Sequence, residues 1–180
     1  MKECTAEQPF VFLAMELYIE GDVDERLLIV SQSAYIQSVL ERFGNPSPRR
    51  QSIDEKRFTV EYLCADIPEN PLLGARQQTE FRSLLGSESF AVLHTRRDLM
   101  AAVAIAAEGQ AAPRSQHQQV VEEVLQFTAA TPQRRLELPV PPLRGPMKLA
   151  GHADANLLSE RARQGLAFAV GDDTVMTVTH

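Results

Sequence analysis

The sequence predicts an α+β fold: an N-terminal β-hairpin, a four-helix bundle and a C-terminal three-stranded antiparallel unit. Three observations carry this prediction. Apolar residues and β-formers fill 10–20 and 26–30 on either side of the polar turn Gly21-Asp22-Val23-Asp24-Glu25. Apolar residues at helical spacing recur in four stretches between 31 and 129. Three short β-rich runs follow a proline-dense segment. The chain divides accordingly into a hairpin plus helical region over 1–131, a Pro-rich linker over 132–146 and a strand region over 147–180.

Taken in order, Phe10 to Glu20 reads as one strand and Arg26 to Val30 as its hairpin partner. The clearest helix follows, over 31–43. Ser31 is an N-cap residue type, and Ile36, Val39, Leu40 and Phe43 lay one apolar stripe on it. Gly44 supplies a left-handed C-terminal residue, and Pro46 and Pro48 stop the helix from resuming. Residues 45–70 lose the period and read as a long connection with a short strand at Phe58 to Leu63. Helical spacing returns over 78–93, with Glu88 near the centre of the stripe of Phe81, Leu84, Leu85 and Val92. Thr95, with Asp98 three residues on, reads as a capping box for a helix over 96–108 ended by Gly109. Ser115 with Gln118 reads the same way for a helix over 115–129, whose inner face is His117, Val120, Val121, Val124, Leu125 and Thr128. Pro139, Pro141, Pro142 and Pro146 stiffen the linker and block helix and central strand alike. Strands are then expected at Met147 to Ala153, Leu166 to Val170 and Thr174 to Val178.

Composition narrows the function classes. The formal net charge is −6, from 24 acidic and 18 basic residues, which disfavours a nucleic-acid surface. The two cysteines, Cys4 and Cys64, have no metal-ligand spacing and make no disulfide framework. His94, His117, His152 and His180 show no ligand spacing either. No long apolar leader opens the chain, and no apolar run reaches the ~18 residues that span a bilayer. The expectation is a soluble, intracellular chain without a membrane span. A core lacking Trp must be mainly aliphatic.

Several segments form one ordered pattern. Phe12-Leu13-Ala14-Met15-Glu16-Leu17 resembles F-L-G-M-E-I, and Ser31-Gln32-Ser33-Ala34-Tyr35-Ile36 with Leu40-Glu41-Arg42-Phe43 resembles S-Q-x-x-Y-I-x-x-x-L-x-R-F. Phe81-Arg82-Ser83-Leu84-Leu85-Gly86-Ser87 resembles Y-R-S-L-V-G-S. Thr95-Arg96-Arg97-Asp98-Leu99 with Ala102-Val103 resembles T-R-P-D-I followed by A-V. Pro113, His117 and Val124-Leu125-Gln126-Phe127 are similar to P-x-x-x-H and V-L-R-Y, and Gly151-His152-Ala153-Asp154-Ala155-Asn156 to G-Y-S-D-A-D. These are motifs of copia-type retrotransposon reverse transcriptases, in the region running from the thumb and connection into the first strands of the ribonuclease H domain. The resemblance extends from Phe10 to about Val178 and implies a thumb/connection-like bundle followed by a partial ribonuclease H-like unit.

The departures are as informative. The family's polymerase carboxylates lie upstream of the strand that Phe12 begins. Ribonuclease H chemistry needs a carboxylate cluster holding divalent metal, and only Asp154 matches it. One carboxylate cannot hold Mg²⁺, so no cofactor is expected unless another segment completed the site. The basic V-L-R-Y has become Val124-Leu125-Gln126-Phe127 beside Glu122 and Glu123. The expectation is therefore a catalytically inactive remnant or fragment, serving as a structural or protein-binding module, with a protein partner covering the C-terminal strands. The other reading is a nucleic-acid-binding thumb-like module using Arg42, Arg49, Arg50, Arg96 and Arg97, with Arg134-Arg135 extending the stripe. Against that stripe stands the ordinary occurrence of solvated arginine in loops. Gly171-Asp172-Asp173 invites a polymerase metal turn but reads as a hairpin turn of turn-forming residues. Cys64 reads as an inert small hydrophobe.

Overall fold

The structure, a computed structural model, describes residues 4–22, 26–49, 59–140, 149–156, 163–170 and 173–179. The fold is mixed α+β, and the chain forms two compact units. One runs from Ser31 to Arg135. The other joins Met1–Val30 to Leu136–His180.

The second unit contains a four-stranded sheet of order β1-β2-β3-β4, from β1 (Phe10–Phe12), β2 (Met15–Glu20), β3 (Leu27–Ser31) and β4 (Leu136–Pro139). The expected single strand over Phe10 to Glu20 is thus two strands. Leu13 and Ala14 take φ of 48° and 58°, and Phe12 pairs with Met15 across them. Two successive residues at positive φ are the signature of a type I′ hairpin turn. Neither is Gly, Asn or Asp, so the residue types that announce such a turn are absent. β4 lies inside the segment read as linker. It pairs antiparallel with β3, Leu28 opposite Leu138 and Leu27 opposite Pro139. Its place at the sheet edge resolves the conflict, because an edge strand can end on a proline.

β5 (Leu149–Asn156), β6 (Arg163–Val170) and β7 (Asp173–Thr179) form a separate antiparallel sheet in that order, with a register shift between Phe168 and Ala169. Each strand is longer than its expected run. Gly171 and Asp172 of the Gly-Asp-Asp sequence lie outside the described residues, and Asp173 opens β7.

The helical unit holds α1 (Ser33–Arg42), α2 (Val60–Cys64), α3 (Ala75–His94), a 3-10 turn (Arg97–Leu99), α4 (Met100–Glu108) and α5 (Ser115–Ala130). α1 starts later than expected. Ser31 ends β3 and Gln32 takes the cap position, yet the Ser31 hydroxyl still accepts from the Ser33 N–H at 3.2 Å. The other end matches its prediction. Gly44 sits at φ 85°, its N–H reaches Glu41 O at 3.3 Å, and the Asn45 N–H reaches Leu40 O at 2.8 Å. That pair of bonds is a Schellman closure. α2 replaces the strand expected from Phe58 to Leu63. Thr59 caps it by accepting from the Tyr62 N–H at 3.2 Å, and Leu63 is fully buried. Its β-forming residues yield to the tertiary role of seating Leu63.

The core of this unit is aliphatic. Ile36, Val39 and Leu40 of α1 meet Leu63, Leu73, Phe81, Leu84, Leu85 and Val92. Leu99, Val103 and Ala106 join Val120, Val121, Val124 and Leu125 in the same cluster. Each fully buried Val, Leu or Ile contributes about 1.5–3 kcal/mol.

Candidate functional site

Two polar clusters interrupt this apolar core. The first forms where α3 ends. Thr95 does not open a helix, as its spacing to Asp98 suggested. It closes α3, its N–H bonded to Ala91 O at 2.9 Å, while its hydroxyl donates to Gln32 Oε1 at 2.8 Å. The capping-box pattern loses because the α3 stripe runs through to residue 94 and claims Thr95 as its last step. Asp98 instead binds Arg96. The guanidinium gives Nε to Asp98 Oδ1 and Nη2 to Asp98 Oδ2, both at 3.1 Å, a bidentate pair. Nη2 also donates to Thr131 Oγ1 at 3.0 Å, and Nη1 to Thr131 O at 3.4 Å. Arg134 Nη1 reaches Asp98 Oδ2 at 2.7 Å, and both guanidiniums lie near the Phe127 ring, 5.8 Å and 5.7 Å from its centroid. Burial alone would raise the Asp98 carboxyl, but the bonds and charge of Arg96, with those of Arg134, outweigh it and hold Asp98 below its ordinary value.

Glu88 belongs to the same region. Its side chain is 1% exposed, and burial pushes its carboxyl up to about 7 against the charge of Arg96. Glu88 Oε1, Gln32 Nε2 and Thr128 Oγ1 have no hydrogen-bond partner among the described residues. A carboxyl of this acidity suits proton transfer at neutral pH. Its enclosure denies a substrate access, so the group acts on stability rather than on a bound molecule. The signal was legible: a Glu centred in an apolar stripe.

The second cluster joins α2, the 65–74 connection and the start of α5. Asn70 is fully buried and donates to Leu63 O and Ala65 O, both at 2.9 Å. Its Oδ1 accepts from the Gln116 N–H at 3.0 Å and faces the Ser115 hydroxyl at 3.3 Å. The expected Ser115–Gln118 capping box is absent for that reason: Ser115 is turned to Asn70 and Glu69, Arg114 takes the cap position, and Gln118 donates to Glu122. His117 closes the turn instead, its Nδ1 accepting from the Arg114 N–H at 3.2 Å. Gly109 leaves room for the ring, since a Cβ there would collide with His117 Cδ2.

Cys64 Sγ lies 3.9 Å from His117 Nε2, which raises the question of a nucleophilic dyad. The tautomer answers it. Nδ1 is an acceptor, so the proton of the neutral ring sits on Nε2 and points at sulfur. Such an imidazole cannot take the thiol proton. Burial, with the charge of Arg114, also lowers the His117 pKa and keeps the ring neutral. His117 is buried outright, on the inner face where the helical spacing put it.

A groove opens on the other side of α5. Phe43, Phe81, Leu84, Val121 and Leu125 line it with Glu80, Glu122 and the amides of Gln118 and Gln126, enclosing about 320 Å³.

The arginines expected to track phosphate are held in different ways. Arg96 is fully buried and bonded as described, so its guanidinium is unavailable at the surface. Arg42 donates to Ser83 Oγ at 2.8 Å, and Arg49 pairs with Glu123 at 3.4 Å. Arg97 is partly buried, burial lowers its pKa, and its Nε has no partner among the described residues. Arg134 meets Arg96 at Asp98, Arg135 is also engaged, and Arg50 lies outside the described residues. Asp154 sits in β5 opposite Gly165. Among the described residues no three His, Cys, Asp or Glu side chains gather as a metal site, and no helix is long and apolar enough to cross a membrane. Compared with protein-family models, curated proteins and solved structures, the chain has no match.

Proposed function

We propose that the chain is a catalytically inactive relative of the copia-type thumb, connection and early ribonuclease H region, working as a protein-binding module. One observation carries the reading. The basic side chains that the resemblance would turn toward nucleic acid are engaged by the fold's own groups: Arg96 and Arg134 by Asp98, Arg49 by Glu123. Two further features support it. The groove between α1, α3 and α5 presents an apolar floor beside Glu80 and Glu122, a surface suited to a protein segment and repellent to phosphate. The β5-β6-β7 meander, with Asp154 in its first strand, fits the opening strands of a ribonuclease H-like unit, and Asp154 alone is too few carboxylates to hold metal.

The test has two arms. An RNA–DNA hybrid is incubated with the full chain and Mg²⁺ or Mn²⁺, and duplex binding is titrated at low salt. The expected results are no cleavage and no salt-sensitive binding. Cleavage abolished by Asp154→Ala would restore a nuclease. Binding that weakens steeply with salt and with Arg42→Ala would restore the clamp reading.

A further inference from the structure

The N-terminal hairpin carries an apolar surface that the fold leaves open. Antiparallel pairing puts Phe10 opposite Leu17 and Phe12 opposite Met15, so these four share one face of the hairpin. Phe10, Val11, Phe12 and Leu13 are 57%, 63%, 52% and 61% exposed. β1 is also a sheet edge, and no charged residue lies between Glu7 and Glu16 to guard it. Its tip is held by two non-glycine residues at positive φ, a conformation that costs about 1–2 kcal/mol per residue, and it projects a leucine.

The edge offers a specific and limited bonding pattern. A two-residue I′ turn closes on a hydrogen-bonded pair, here Phe12 with Met15, so Phe12 and Phe10 bond inward to β2. Val11 then directs its N–H and C=O outward. The neighbouring outward positions offer less: Pro9 has a C=O but no N–H, and Leu13 belongs to the turn.

We propose that two copies of the chain pair antiparallel through β1, about a two-fold axis at Val11. Val11 exchanges both backbone bonds with its counterpart. Phe10 then faces Phe12 of the other copy, twice, in non-hydrogen-bonded pairs whose side chains approach most closely. The same patch serves both partners, so the contact is isologous and closes at two copies. Because Pro9 lacks an N–H and Leu13 lies in the turn, Val11 is the residue of β1 that can exchange both backbone bonds. The open surface of the four residues is on the order of 500 Å² per copy, given ~150–250 Å² for an aromatic side chain. A stable interface needs ~800 Å² per partner, so the dimer is weak and reversible. This inference stands apart from the proposed function, because it depends on β1 alone.

Sedimentation equilibrium of the full chain between about 1 μM and about 1 mM tests it. The expected result is a monomer–dimer equilibrium whose Kd rises at least about 30-fold in Phe12→Asp. A monomer throughout, or assembly beyond two copies, would overturn it. Should Phe12→Asp fail to fold, Val11→Cys in a Cys4→Ser/Cys64→Ser background keeps the test open. Oxidation should cross-link it into dimers, while Ile67→Cys in the same background stays monomeric. Equal cross-linking at both positions, or none at Val11→Cys, refutes the two-fold pairing.

Discussion

Replacing Glu88 by Gln should stabilise this protein, and should do so only above a particular pH. Gln keeps the shape of the side chain and removes its titration. In the folded state burial pushes the Glu88 carboxyl from an ordinary 4.5 up to about 7. Between those values the folded chain holds a proton that the unfolded chain has released. The contribution of Glu88 is therefore intact below about 4.5 and is lost as pH rises through 7. At about 1.4 kcal/mol per pH unit the loss amounts to about 3 kcal/mol at pH 8. With a side chain 1% exposed, little solvent screening reduces this. Urea unfolding of both proteins, followed by far-UV circular dichroism, measures it. The variant should match the parent near pH 4 and exceed it by about 3 kcal/mol near pH 8. A stability difference that does not change with pH would refute the reasoning, because burial of Glu88 would then carry no ionisation cost. A variant less stable at pH 8 would show that the ionised carboxylate, through Arg96, is a net stabiliser.

Two further predictions come from single positions. Ala14→Gly should raise stability by about 0.5–1 kcal/mol, because Gly adopts φ near 58° without a Cβ penalty, and thermal denaturation reads the gain. Gly109→Ala should cost about 1–3 kcal/mol, because its Cβ collides with the His117 ring. The same variant should disturb the imidazole, seen as a changed His117 titration and as faster hydrogen exchange at the Arg114 N–H.

The elements that could be read from the chain were those with local chemistry of their own. The C-terminal end of α1 is complete in the sequence, since Gly44 and the prolines after it admit one ending. The bundle core was also legible as stripes, and Glu88 as the misfit in one of them. What stayed hidden depended on distant partners. Thr95 and Asp98 have the spacing of a cap, but Gln32 claims the first from elsewhere in the fold, and Arg134 joins the neighbouring Arg96 in claiming the second. Ser115 and Gln118 have it too, and Asn70 redirects the first. The turn at Leu13-Ala14 has no turn-forming residue, so only pairing reveals it. The arginine pairs looked alike in sequence, and burial alone distinguishes Arg96 from Arg42.

Arg96 bears on how uniquely this chain folds. Val103, Ala106, Val120 and Val124 are small and similar, so helices packed through them could slide past one another by a turn at modest cost. An aliphatic core of that kind tolerates many near-equivalent registers. The guanidinium does not. Slid by one turn, α5 would draw Thr131 about 5 Å away from Nη1 and Nη2 and leave those two donations unmade in an apolar interior, while the pair with Asp98 persists. Leaving buried donors of a charged group unsatisfied costs about 1–3 kcal/mol, enough to disfavour the alternative registers. Arg96 thus selects, in this fold, one alignment of α5 against the end of α3 among many.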